Sequence, residues 1–146
     1  MADRMMETGL WHARTLSTLS VTADTTLGKD NSGRVILMGT NGVDIILPPC
    51  EVGLNFKIIQ TGNFDTAACT IKTSVQNTEF FVGGYASADS GDGNTSDNDS
   101  NDVITFGSAT LAGDYLDLVC ISATQWHAVG FAKSSDNSNA IVFSDA

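Results

Sequence analysis

GDYLDLVCISATQWHAVGF, residues 113–131, reads as two β-strands joined by a tight turn. The first run, residues 115–122, is aliphatic and β-branched. After Ala123, Thr124 and Gln125 a second begins at Trp126 and continues to Phe131. Two strand-forming runs separated by a few small or polar residues predict a hairpin. Trp126, with the largest apolar surface in the stretch, is expected to fill the core at the start of the second strand. Nothing here reads as a reaction centre. His127 has no nucleophile elbow or oxyanion element beside it. Asp114 and Asp117, three residues apart, fall on opposite faces of a strand and do not form a carboxylate pair.

Outward from the hairpin the same texture repeats. Short apolar runs recur at residues 19–22, 34–38, 43–47, 54–60, 69–73, 79–82, 103–106 and 140–143, separated by Gly-, Asn-, Asp- and Ser-rich links. The Asn41-Gly42 step between the second and third runs predicts a hairpin there too. Pro48-Pro49 ends the third run, because proline cannot donate to a sheet ladder. Gly83-Gly84 is expected to end the run at 79–82. No segment keeps a 3.6-residue period. The fold class is therefore all-β, with an antiparallel β-sandwich or jelly-roll-like barrel as the expected architecture. Residues 35–38, 43–47 and 118–121 are apolar on both faces, whereas one face of an antiparallel sandwich should be polar. That excess predicts burial against other subunits, and hence a symmetric oligomer.

Composition narrows the function classes. The chain has 146 residues, 42% of them hydrophobic and 16% charged, which suits one folded domain. Its net charge is −10, and the seven Lys and Arg residues are spread singly, so nucleic-acid binding is not expected. Three widely spaced cysteines, Cys50, Cys69 and Cys120, fit neither a disulfide framework nor a zinc site, and read as small buried side chains in a reduced compartment. No apolar run reaches the ~18 residues of a membrane span, and the N-terminus lacks the apolar core of a signal peptide. Synthesis and folding in a cytoplasm, without membrane partners or cofactors, are expected.

Two segments depart from the strand texture. Residues 1–18 read as an N-terminal arm in which Arg4 and Arg14 balance Asp3 and Glu7, ahead of a single β domain at 19–146. An extended arm with an aromatic anchor makes Leu10, Trp11, His12, Arg14 and Leu16 the candidate interface residues. Residues 86–102 form an acidic loop with five aspartates and no basic residue. Within it Asp97, Asp99 and Asn101 alternate as calcium-loop ligands do. The sixth position is Asp102 rather than glycine, however, and the twelfth is Ser108 rather than an acid. A solvated acidic loop is the simpler expectation.

Four stretches, taken together with the closing hairpin, resemble a known module. They are Val21-Thr-Ala-Asp-Thr-Thr-Leu, Asn31-Ser-Gly-Arg-Val-Ile-Leu, Asp44-Ile-Ile-Leu-Pro and Val52-Gly-Leu-Asn-Phe-Lys-Ile-Ile, followed by the strand, turn and Trp of residues 116–126. The pattern is similar to a β-module of tailed-bacteriophage virion proteins and covers roughly residues 19–131. It recurs in capsid decoration (cement) proteins, head fibres and tail fibres. The resemblance implies a homotrimer without catalysis. The favoured expectation is a decoration protein on the outer capsid surface, bound to the major capsid protein. The rival expectation is a head-fibre or tail-fibre module that recognises host surface glycan. A depolymerase is disfavoured by the lack of a triad or carboxylate pair.

Overall fold

The computed structural model describes residues 16–88, 100–133 and 140–146. Eleven strands and one short 3-10 turn (Lys29–Asn31) are present, with no α-helix among the described residues. The strands are β1 (Thr18–Val21), β2 (Thr25–Thr26), β3 (Val35–Met38), β4 (Asp44–Ile46), β5 (Asn55–Gln60), β6 (Cys69–Lys72), β7 (Phe80–Ser87), β8 (Val103–Phe106), β9 (Tyr115–Cys120), β10 (Gln125–Ala132) and β11 (Ile141–Ser144). They form a six-stranded sheet in the order β1-β3-β5-β9-β10-β7 and a five-stranded sheet in the order β11-β8-β6-β4-β2.

Through β6 the chain alternates between the two sheets at every step. Consecutive strands of one sheet therefore run the same way: β1, β3 and β5 are parallel, as are β2, β4 and β6. This first half is three turns of a flattened coil. From β8 onward the pairing turns antiparallel: β8 with β6, β11 with β8, β9 with β5, and β10 with β9. The last strand pair, β10 with β7, is parallel again.

The all-β class holds, but the expected antiparallel arrangement does not, because both sheets are mixed. A jelly roll is built from antiparallel strands, so the parallel half also departs from that expectation. The Asn41-Gly42 step does not close a hairpin. It carries the chain from β3 in one sheet to β4 in the other, with Gly42 at a φ of 71° that favours glycine. Alternating apolar residues report which face of a strand is buried, not which strand lies beside it, and a coil and a hairpin demand the same alternation. By contrast, the hairpin at residues 115–131 forms, with Trp126 opposite Cys120 and Phe131 opposite Tyr115.

Gly83-Gly84 does not end its strand either. β7 runs through both glycines in continuous register with β10, Gly83 facing Ala128 and Gly84 facing Val129. Gly83 has a φ of 121°, and a Cβ there would run into the Ala128 carbonyl. Glycine here permits close strand approach instead of breaking the strand.

One hydrophobic core joins the two sheets. Ile36, Met38, Phe56, Ile58, Leu116, Leu118 and Trp126 from the larger sheet meet Ile45, Ile71, Ile104, Phe106 and Ile141 from the smaller one. Trp126 is fully buried and tilts against Phe56, with ring centroids 5.9 Å apart. Cys69 and Cys120 are buried, Cys50 is partly buried, and all three are free thiols. Burial pushes the Cys69 and Cys50 thiols up, further from the reactive thiolate.

Candidate functional site

Strand alternation leaves every second residue of the six-stranded sheet facing outward. Registration of the strands assembles these residues into rows. One row runs Leu37, Ile59, Tyr115, Phe131. The next runs Val35, Lys57, Asp117, Val129, and a third runs Asn55, Val119, His127, Val82. Most of these side chains are apolar, and several stay open to solvent: Val129 is 47% exposed, Phe131 40% and Val119 39%. Isolated exposed valines need no explanation, but a contiguous apolar field marks a surface built to be covered.

A lysine–aspartate pair stands near the centre of this face. Lys57 Nζ donates to Asp117 Oδ1 at 3.1 Å and Oδ2 at 3.3 Å, directly across the β5–β9 ladder. The same ammonium lies 4.4 Å from the centre of the Tyr115 ring. The cation therefore meets an anion and a π-face within one strand width. At their present exposure such a pair is worth less than about 1 kcal/mol. Its larger consequence is that neither charge is left unmatched if the face is covered.

A groove of about 340 Å³ opens on the same face, lined in part by Leu16, Arg34, Val35, Lys57, Asp117 and Val119, so a second cation stands at its wall. Leu16, 66% exposed, forms one wall as the chain enters β1. Among the candidate arm residues it alone is described; Leu10, Trp11, His12 and Arg14 lie outside the described residues. Of the calcium candidates, Asp97 and Asp99 also lie outside them. Asn101 is described and buried, and its Nδ2 donates to Asp145 Oδ1 at 3.2 Å. Among the described residues no three His, Cys, Asp or Glu side chains cluster as metal ligands. Nor is any helix long and apolar enough to cross a membrane.

The buried carboxylates serve the loops. Glu79 accepts from the backbone N–H groups of Cys50 at 2.6 Å, Ser74 at 3.1 Å and Val75 at 3.2 Å, tying two connections together. Asp102 Oδ2 accepts from the Asn77 N–H at 2.8 Å. Asp114 accepts from the N–H groups of Leu111 at 2.9 Å and Lys133 at 2.8 Å, while burial raises its carboxyl above the usual carboxylate range. Each is engaged by backbone donors that a turn would otherwise leave unsatisfied. His127 stands exposed on the outward face between Val119 and Val82.

No protein-family model, curated protein or solved structure matches this chain.

Proposed function

We propose that this chain is a structural virion protein, a capsid decoration (cement) protein that binds the outer surface of a tailed-bacteriophage head as a trimer and stabilises it. The observation that carries the reading is the apolar outer face of the six-stranded sheet, a surface suited to contact with protein rather than to chemistry. The sequence resemblance to virion β-modules points the same way. On this reading the major capsid protein is the partner and the residues ahead of β1 supply the grip, with Trp11 as the anchor. On this reading the aspartates of the acidic segment add negative charge that keeps particles apart, Asp102 excepted, which is buried at the foot of β8.

Glycan recognition by a fibre is the weaker reading. Sugar platforms need exposed aromatic rings. Trp126 and Tyr85 are buried, Tyr115 is half-covered beside Lys57, and Trp11 lies outside the described residues, which leaves Phe131 as the open ring among those described.

The test is co-sedimentation with heads of the source phage. Ser17 already accepts from the Val35 N–H at 2.9 Å, so the informative truncation removes residues 1–15 and leaves β1 intact. The expected outcome is a folded domain that no longer pellets with heads. A truncation that pellets as well as the full chain rejects the arm. A full chain that pellets with tails and not with heads rejects the decoration reading itself.

A further inference from the structure

Two of the three cysteines meet, although the chain separates them widely. Cys50 follows Pro48-Pro49 in the connection from β4 to β5, and Cys120 is the last residue of β9. We infer that Cys50 and Cys120 form a redox-active dithiol that closes into a disulfide when the surroundings turn oxidising, clamping the β4–β5 connection to the end of β9. The spacing of cysteines in a sequence does not say which sulfurs a fold brings together. The inference concerns the domain itself and does not rest on the virion reading.

Backbone bonds fix the approach of the two residues. Antiparallel pairing of β5 with β9 sets Asn55 opposite Val119. One step further, the Cys120 N–H donates to the Leu54 carbonyl at 2.8 Å, and the Cys120 carbonyl accepts from the Gly53 N–H at 2.9 Å. A turn closed by the Leu54 N–H and the Glu51 carbonyl, at 3.1 Å, reverses the chain between this ladder and Cys50. Glu79 pins the far side by accepting from the Cys50 N–H at 2.6 Å. Within this frame the Cys50 thiol is in hydrogen-bond contact with the Cys120 sulfur. Cys120 points inward in alternation with Leu116 and Leu118 and is 1% exposed, whereas Cys50 is partly open and packs at the edge of the core. Sulfurs that already touch, on segments tied by backbone bonds, meet the requirement that the two side chains be directed at one another. Cys69 stands apart as an internal control, buried in β6 of the smaller sheet with its Sγ donating to the Thr40 carbonyl at 3.1 Å.

Unequal access orders the chemistry. The oxidant is a low-molecular-weight disulfide of the glutathione kind. Cys50, the thiol it can reach, loses its proton to solvent and attacks one sulfur of that disulfide. A mixed disulfide forms, and one small thiolate leaves and takes up a proton. Cys120 then loses its proton and attacks Cys50 Sγ. The Cys50–Cys120 bond forms as the second small thiolate leaves and is protonated. Two protein thiols are thereby oxidised and one small disulfide is reduced to two thiols. Burial, and next to it the charge of Glu79, push the Cys50 thiol up, so its thiolate is scarce at neutral pH and closure is slow. The pair stays reduced in a reducing compartment and closes on sustained exposure to the oxidant. Once closed, it constrains a long loop that contains β5 to β9, which removes freedom from the unfolded chain.

The experiment exposes the full chain to oxidised glutathione, alkylates the remaining thiols and maps the unreduced digest by mass spectrometry. A cross-linked peptide joining Cys50 to Cys120, with Cys69 alkylated, is the expected result, and it should form faster in mild alkali than at neutral pH. The melting temperature should rise by about 10 °C, and dithiothreitol should reverse the rise. Cys120→Ala should stop at a glutathione adduct on Cys50, whereas Cys50→Ala should leave Cys120 unmodified until the chain is unfolded. Circular dichroism checks that the variants fold; should either fail, the map of the wild type decides alone. Three unlinked cysteines, after an exposure that oxidises the cysteines of the urea-unfolded chain, overturn the inference. So does a wild type that stops at the Cys50 adduct, or a link that uses Cys69 or joins two chains. A Cys50–Cys120 link that does not raise the melting temperature overturns the clamp.

Discussion

Across the six-stranded sheet an outward row runs Leu37, Ile59, Tyr115, Phe131; across the five-stranded sheet the matching row runs Val142, Thr105, Thr70, Asp44. Both faces carry a lysine–aspartate pair bridging adjacent strands, Lys57 with Asp117 on the first and Lys72 with Asp44 on the second. The surroundings differ. Around Lys57 stand valines and an aromatic ring, whereas Asp44 also accepts from the Thr70 hydroxyl at 2.5 Å and its own strand starts with a bond to Asp24. Threonine suits a strand and keeps a hydroxyl for water, so the smaller sheet has a face that can remain wet. The larger sheet keeps fewer such groups, Asn55 and His127 among them, between its apolar residues. One backbone plan thus yields one outer face that is more polar and one that is more apolar.

The sharpest way to break this comparison is to remove each lysine in turn. If the larger face is covered, Lys57→Ala leaves Asp117 unpaired in a contact from which water is excluded, and the assembled protein loses about 3 kcal/mol. Lys72→Ala on the open face costs at most about 1 kcal/mol, the ordinary worth of an exposed pair. Denaturant titration of the assembled protein reads both. Equal losses would mean the two faces see the same solvent.

A smaller effect tests how far the larger face extends. Its final strand is held by the parallel β7–β10 ladder, which passes Gly83 against the Ala128 carbonyl. Gly83→Ala combines an unfavourable φ with a clash, and a loss of about 2 kcal/mol is expected, visible as a lower melting temperature. Gly33, likewise at positive φ but with open space around it, should tolerate alanine better.

Much of this comparison was legible in the sequence, and the rest was hidden for identifiable reasons. Ten of the eleven strands lie where short apolar runs stand, since burial of one face imposes period-two alternation. β2 escaped notice because Thr25–Thr26 offers two polar residues and no alternation at all. The excess apolar residues at 35–38, 43–47 and 118–121 predict a second buried surface, and they divide between the two sheets, with 43–47 on the smaller one. Only the strand register gathers Leu37, Val119 and Val129, distant in the chain, onto one face. The partners of those strands were illegible, because a turn at Asn41-Gly42 looks alike whether the chain folds back or crosses to another sheet. The Lys57–Asp117 pair joins residues 60 positions apart and has no local signature. The anchoring roles of Glu79 and Asp114 depend on backbone donors in other loops, which no side-chain pattern encodes.

The smallest effect concerns acid, and it belongs to the open face. The Lys72 ammonium at 2.6 Å, with help from the Thr70 hydroxyl, holds the Asp44 carboxyl below the usual carboxylate range. A carboxyl whose pKa is lower in the folded chain than in the unfolded one stabilises the fold above its unfolded value of about 3.9. That contribution drains away as pH falls through the window between the unfolded and folded values. Asp114 works in the opposite sense. Burial raises its folded value, so its charged form opposes folding at neutral pH, and the opposition is relieved as pH falls through the raised value. Asp44→Asn should therefore lose at most about 1 kcal/mol at neutral pH, and its deficit against the wild type should shrink below about pH 4. Urea titrations at neutral and acid pH measure that difference. A deficit that stays constant across the range would show that Asp44 contributes through shape and not through charge. The open face would then owe its stability to its threonines alone.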